Sequence, residues 1–265
     1  MKNRNILKDI VERKKIEVAC KKSVAPTHEL EKTLLFQRKP LSLKSFLSDF
    51  SRTGIIAEFK RKSPSKGHIN AGADVTEITK GYTKYGASAL SVLTDQDFFG
   101  GGSEDLMKAR INDLPILRKD FIIDEYQVIE SKSIGADTIL LIAACLTPEE
   151  VRRLSRFAKQ LHLEVILEIH AEEELGHICS ETEIIGINNR DLKTFEVNIE
   201  RSLKMAEKIP ANRIKIAESG ISSVEDIMLF KQSGFSGFLI GENFMKEKNP
   251  SIAFASFVKH LKEFR

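Results

Sequence analysis

Six side chains able to carry charge or orient a substrate stand at the ends of short apolar runs. Glu58 and Lys60 follow Ile55-Ile56-Ala57, Lys119 follows Leu114-Pro115-Ile116-Leu117, and Glu168 follows Val165-Ile166-Leu167. Asn188 follows Ile184-Ile185-Gly186-Ile187, and Glu218 follows Ile214-Lys215-Ile216-Ala217. Carboxylates beside lysines are the material of general acid–base catalysis, because each moves the other's pKa. Glu58 and Lys60 lie two apart, so on a strand they share a face. The Ser63-Pro64-Ser65-Lys66-Gly67 turn after them offers hydroxyls and backbone N–H groups, although the stretch alone reads equally as a solvated basic loop. Lys119 is either a lysine snorkelling at a strand end or a proton donor whose pKa burial lowers toward neutrality. Glu168 is an inward acid on an otherwise apolar strand; unpaired it would be costly, so it needs a cation or a chemical role.

Two further places suit an anion. Gly220 follows Glu218-Ser219, and Gly241-Glu242-Asn243 follows the last apolar run. Glycines there let the backbone approach a phosphate and present its N–H groups, whereas either alone is an ordinary turn. Glu242 looks misplaced beside a dianion, but its N–H can point in while its carboxylate points out. His170 invites a metal reading, with Glu172, Glu173, Glu174 and His177 following. Those acids are better explained as the charged start of a helix, where the dipole favours them, and no metal is expected.

These residues become one site only if the apolar runs are strands of one sheet. The expected strands are Ile55–Phe59, Ala87–Leu93, Pro115–Arg118, Thr138–Ile142, Glu164–Ile169, Ile184–Ile187, Ile214–Ala217 and Gly237–Ile240. They are near-continuous apolar runs with amphipathic segments between them, the pattern of parallel strands covered on both faces. Gly86, Gly135 and Gly234 sit where the intervening helices must end before a strand. Eight such units match a closed (β/α)8 TIM barrel, whose chemistry sits at the carboxyl ends of the strands. An open doubly wound sheet is the rival, but no GxGxxG turn follows the first strand. Residues 1–50 read as an N-terminal helical extension rather than a separate domain, being too short for a core of their own. Ile6, Leu7, Ile10, Val11 and Ile16 form its apolar stripe, and Pro26-Thr27 breaks it. Thr27 is expected to cap a second helix facing inward with Leu30 and Leu34, and Leu41–Phe50 leads into the first strand.

Bulk properties exclude several classes. The 265 residues carry a net charge of +3, with no basic stripe, so nucleic acid is not an expected partner. Three scattered cysteines, Cys20, Cys145 and Cys179, support neither a disulfide framework nor a zinc site. The charged N-terminus lacks a signal-peptide core, and no run approaches the roughly 18 apolar residues of a membrane span. A reduced, cytoplasmic, soluble monomer is the expectation.

The chain resembles the indole-3-glycerol-phosphate synthase family, enzymes of tryptophan biosynthesis that close the indole ring. The likeness rests on IIAEFKRKSPSKG, SVLTD with the following FF, LPILRKDFIID, GADTILLI, LEIH, GINNRDL, AESGI and FLIGE, in the family's order from about residue 5 onward. The resemblance implies a substrate that is an anionic aryl-amino sugar phosphate, and no cofactor. It makes Lys119 the acid that protonates the substrate ketone and Glu168 the general base. Glu218 would set Lys119, and Lys60 paired with Glu58 would hold the substrate's carboxylate or phosphate and assist dehydration. Asn188 and Ser63 would orient the substrate, with Ser219 a further contact and Phe121 against its ring. Gly220, Gly241 and Glu242, with Lys60, would bind phosphate. Arg190 and Asp191 are expected to brace their loop, outside the site. Which lysine donates each proton stays open. The rivals are another phosphate-binding barrel, such as a sugar-phosphate isomerase, and a silent barrel used as a binding scaffold.

Overall fold

The computed structural model describes residues 6–64, 66–191, 194 and 196–264. Eight parallel strands close into a barrel: β1 (Ile55–Phe59), β2 (Ala89–Leu93), β3 (Ile116–Lys119), β4 (Thr138–Ile142), β5 (Glu164–Ile169), β6 (Ile184–Asn188), β7 (Ile214–Glu218) and β8 (Phe235–Ile240). Each pairs with its sequence neighbours, and β8 returns to β1 with Ile55 opposite Phe238 and Ala57 opposite Ile240. The strands fall where the apolar runs place them, with starts shifted by two residues at β2 and β8 and by one at β3. β2 begins at Ala89, because Ser88 is occupied in turning the chain, its Oγ accepting from the Gly54 N–H. β8 begins two residues earlier than expected, through a register shift between Phe235 and Gly237.

Before the barrel come α1 (Ile6–Val24), α2 (Thr27–Leu30), α3 (Leu34–Gln37) and α4 (Leu43–Ser48). The outer helices are α5 (Val75–Lys84), α6 (Gln96–Phe99), α7 (Ser103–Ala109), α8 (Glu125–Ser133), α9 (Pro148–Gln160), α10 (Ile199–Ala206), α11 (Val224–Gln232), α12 (Glu242–Met245) and α13 (Pro250–Glu263). The β5–β6 connection carries a 3₁₀ helix, Glu172–His177, instead of an α-helix. Several helices start abruptly after a strand because their first turn is self-capped. Asp124 with Gln127, Thr147 with Glu150 and Ser223 with Asp226 are reciprocal capping boxes. Gly86, Gly135 and Gly234 all adopt the left-handed conformation expected of helix exits.

Strand alternation sorts the barrel into two apolar layers. Residues such as Ile55, Ala57, Ile139, Leu141 and Leu167 face the outer helices. Ile56, Ala89, Leu117, Leu140, Ile166, Ile184, Ile216 and Leu239 fill the barrel interior. Two residues further along the inner face, the apolar residues give way to Glu58, Lys119, Glu168 and Glu218, and on β6 Gly186 intervenes between Ile184 and Asn188. The lower barrel is therefore a dry floor that holds the polar mouth in fixed register.

The N-terminal extension packs into this interior: Leu43 and Leu47 of α4 and Ile10 of α1 belong to its cluster. Three details differ from the sequence reading. The buried face of α1 is Ile10, Lys14 and Val18, while Ile16 is 62% exposed. Thr27 does not cap α2, because Pro26 occupies the N-cap position. Leu34 is not on that helix; it opens α3, capped by Thr33, and is 92% exposed. The turn of α1 has a physical cause. The Lys14 ammonium lies 2.9 Å from Asp95 and 3.0 Å from Asp120, both buried on the barrel, and those carboxylates draw in a lysine that an apolar stripe would assign to water.

Candidate active site

The cavity at the carboxyl ends of the strands measures about 270 Å³. Glu58, Lys60, Ser63, Lys119, Phe121, Glu168, Asn188, Glu218, Ser219, Gly220, Gly241 and Glu242 all line it. Ser65, the second serine of the first-strand turn, lies outside the described residues.

Lys119 stands at the centre. Its ammonium donates to Glu168 at 2.8 Å and lies 3.3 Å from Glu218. Burial works against its charge, but Glu168, Glu218 and Glu58 outweigh burial and hold its pKa well above the ordinary lysine value. This corrects the expectation that burial brings Lys119 toward neutrality: carboxylates on neighbouring strands keep it a cation. Glu168 is likewise buried against its own charge, yet Lys119 and then His170 hold its pKa well below the usual carboxylate range. Asn188 Nδ2 donates to Glu168 Oε1 at 3.1 Å, and so fixes the carboxylate's second oxygen.

Glu218 behaves in the opposite way. Burial, reinforced by Glu168, outweighs Lys119 and pushes its pKa up to about 8. Neither oxygen has an aligned hydrogen-bond donor, although the Lys119 ammonium is close. The side chain fits only because β6 carries glycine opposite: a Cβ at Gly186 would lie 2.2 Å from Glu218 Oε1. One lysine thus faces an ionised and a proton-holding carboxyl, the pairing that separates base from acid in a single pocket.

On the other side of the mouth, Lys60 pairs with Glu58 at 2.8 Å. Glu58 packs directly on the strand-eight loop, where a Cβ at Gly241 would lie 2.5 Å from its Oε1. The strand-seven loop is strained: Ser219 has φ +67° and Gly220 +70°. A serine held left-handed costs on the order of 1–3 kcal/mol, and such strain clusters at ligand sites. Asn189 Nδ2 holds it in place, donating to the Ser219 carbonyl at 2.7 Å. Phe121 and Phe99 pack with centroids 6.1 Å apart. With Ile6, Leu7 and Ile10 of α1 and Leu140 and Ile142 of β4, they make one wall apolar.

Comparison with known proteins shows the family. The family model described as "Indole-3-glycerol phosphate synthase" matches residues 7–257. The chain belongs to that family. A Bacteroides thetaiotaomicron indole-3-glycerol phosphate synthase is 46% identical over 97% of this chain and 99% of its own. An Acinetobacter baumannii protein of the same name is 40% identical over 95% and 94%. One from Koribacter versatilis is 43% identical over 92% and 95%. Among solved structures, the tryptophan synthase α subunit from Legionella pneumophila superposes with a TM-score of 0.60, covering 83% of this chain and 97% of its own. At 14% identity that likeness speaks for the barrel fold alone.

In this indole-3-glycerol phosphate synthase family member, sequence reading left several cavity residues out. Arg190, expected to brace its loop, lines the cavity and lies 3.8 Å from Glu242. A signal for it was present: Arg190 lies two beyond Asn188, the same alternation that pairs Glu58 with Lys60. Lys246 lines the cavity from the strand-eight side beside Asn243, and Ile6, Leu7 and Ile10 of the α1 apolar stripe roof it; no local pattern marks Lys246. Around His170 no group of three or more potential metal ligands comes together among the described residues. Instead its ring stands 3.0 Å from Glu168.

Proposed function

We propose that this chain converts 1-(2-carboxyphenylamino)-1-deoxyribulose 5-phosphate into indole-3-glycerol phosphate, CO2 and water. The observation that carries the reading is a lysine held between two carboxyls of opposite protonation tendency, in a cavity with an apolar wall and two glycine loops. The phosphate belongs beside Gly220 and Gly241. Lys60 supplies its counter-charge, because Glu58 ties that lysine to the strand-eight loop. The aromatic ring belongs against Phe121 and the α1 residues, with Asn188, Ser63 and Ser219 orienting the polar part and Arg190 and Lys246 adding positive charge.

The steps follow from that placement. The ring carbon bearing the carboxylate attacks the ketone carbon while Lys119 gives its proton to the ketone oxygen. The carbon–carboxylate bond then breaks, and its electron pair restores aromaticity as CO2 leaves. A second proton, from Lys119 or Lys60, removes the new hydroxyl as water, and Glu168 takes the proton that leaves the forming indole. Two protons enter and one departs, which balances the lost carboxylate. A raised pKa suits Lys119 as the acid, since its proton is present throughout the neutral range and the acceptor becomes strongly basic only as the new bond forms.

We take the working unit to be one chain, because every wall of the cavity comes from it. Residues 1–265 then form one domain, with 1–50 as its N-terminal helical extension. The free thiols at Cys20, Cys145 and Cys179 suit a reducing cytoplasm. The chain contains no tryptophan, so product indole can be followed directly by its fluorescence. Purified protein given the substrate should generate that signal without added cofactor, and Lys119→Met should lower kcat about 10²–10⁴-fold. No signal from a protein that binds the substrate would overturn the activity, and near-normal turnover by Lys119→Met would overturn the assignment of the acid.

A further inference from the structure

His170 follows the end of β5, two residues after Glu168, yet it does not line the cavity. Its side chain is buried against the back of Glu168. Nε2 lies 3.0 Å from Glu168 Oε1, and Nδ1 lies 3.6 Å from Glu174 Oε2, on the 3₁₀ helix that follows. The same Glu174 oxygen accepts from the His170 backbone N–H at 2.6 Å, which locks that carboxylate beside the ring. The ring nitrogens are close to their partners but not aligned as hydrogen bonds, so the contact acts through charge. Beside them lie His177, whose ring contacts the Glu174 carbonyl at 3.0 Å, and Cys145, a thiol that burial, with Glu168 and Glu174, pushes up to about 12 and therefore keeps neutral.

We propose that His170 is a positioning residue for the reaction assigned above, a second cation behind Glu168 that keeps this base ionised and in place when Lys119 gives up its proton.

The geometry explains why a second cation matters. In the resting site Lys119 is the main counter-charge of Glu168. Protonating the ketone removes that charge at the step before Glu168 must act. Glu218 is a poor substitute, since it is an acid facing the same lysine. Without another cation, Glu168 would be a buried carboxylate among carboxyls and would take up a proton early. His170 is not consumed. Burial opposes its charge, but Glu168 and Glu174 raise its pKa to about 9. The imidazolium is thus present at neutral pH and lost as pH rises through about 9.

The proposal rests on the reading of Glu168 as base, and a kcat-versus-KM comparison separates the two. Wild type must first give the indole signal; its absence would speak against the reaction rather than against His170. His170→Asn should then lower kcat about 10–100-fold, by analogy with the loss when an outer-shell partner that orients a metal ligand is removed. KM should stay within about twofold, because the imidazole touches no substrate. In wild type, kcat should fall as pH rises through about 9, and this limb should vanish in His170→Asn. The step belonging to Glu218, near 8, should remain in both proteins. Glu174→Gln takes away one anion beside the ring, so the limb should move to lower pH while the Glu218 step stays. A His170→Asn enzyme with unchanged kcat and pH profile would overturn the proposal, as would a loss confined to KM. If His170→Asn does not fold, Glu174→Gln decides alone: an unmoved limb refutes the proposal.

Discussion

Two buried charge clusters lie back to back across β3, separated by the width of a strand, and they are built on opposite terms. Inside the barrel, Lys119 meets Glu168 and Glu218. Arg118 and Asp120, the residues flanking Lys119, belong to a closed circuit of alternating charge on the other side of the strand, and Asp120 also reaches the cavity wall. Lys14 contacts Asp120 at 3.0 Å, Asp120 contacts Arg118 at 3.0 Å, and Arg118 contacts Glu130 at 2.7 Å. Glu130 then contacts Lys21 at 2.9 Å, Lys21 contacts Glu17 at 2.9 Å, and Glu17 returns to Lys14 at 2.7 Å. Arg118 also donates to Thr94, Gln127 and Ser131, so its guanidinium is fully used. In this circuit burial is overcome in the direction of charge: Lys14, Lys21 and Arg118 are held above their ordinary pKa values, and Asp120 and Glu130 below theirs. In the site, Glu218 is displaced toward its neutral form. Satisfied charges hold the α1 helix and the end of β3, while the under-satisfied carboxyl on the inner side remains free to exchange a proton.

The largest effect expected from breaking this contrast is on the outer side. Lys14→Met keeps the aliphatic stem but leaves Asp95 and Asp120 buried without their shared cation. Removing one partner of a buried ion pair typically costs about 3–5 kcal/mol. The urea midpoint should fall accordingly at unchanged slope. The sign with pH is fixed: a folded lysine pKa above the unfolded value stabilises at every pH below the unfolded value and is lost only above it. The loss in Lys14→Met should therefore be flat between about pH 5 and pH 9. Adding Asp120→Asn should return part of it, and a double variant worse than the sum of the singles would count against a shared circuit.

Glu218→Gln tests the inner side and should behave differently in sign. A carboxyl whose folded pKa is raised costs stability as pH climbs from its unfolded value toward about 8, because folding then opposes ionisation. The variant should gain about 0.5–2 kcal/mol relative to wild type at pH 8 and little at pH 5, while kcat falls. A gain in both stability and turnover would mean that the strain at Glu218 serves nothing. A loss of stability at pH 8 would mean that the carboxyl is satisfied after all.

The inner cluster was legible in the sequence and the outer one was not, for a physical reason. Barrel strands announce themselves as uninterrupted apolar runs, so the residue that ends each run is marked by contrast alone. Glu58, Lys119, Glu168, Asn188 and Glu218 were found that way, and β6 and β7 fell within a residue of expectation. Lys14 carries no such mark. It sits in a charged stretch, and what buries it are carboxylates at positions 95 and 120, distant in the chain and adjacent only after the barrel closes. Reading apolar stripes alone therefore rotated α1 toward Ile16 and away from its true face. The charge of Lys119 is hidden for the same reason: desolvation is visible from one strand, whereas the opposing carboxylates lie on others. His170 was seen, but its neighbours in sequence suggested a metal or a helix start rather than a partner for Glu168.

The smallest effect calibrates the rest. Arg153 on α9 and Glu125 on α8 form an ion pair at 2.7 Å, as short as Arg118–Glu130, but both side chains are about half exposed to water. Exposed pairs of this kind contribute about 0–1 kcal/mol, because solvent screens the attraction and two long side chains lose freedom. Arg153→Ala should thus lower stability, read from the urea midpoint, by no more than about 0.5 kcal/mol, and added salt should erase even that. The Lys14→Met loss should persist at the same ionic strength, since its partners are shielded from salt. Equal losses in the two variants would mean that contact length alone governs these pairs. A salt-insensitive difference would assign the strength of the outer circuit to its burial and to the closure that leaves no charge in it unpaired.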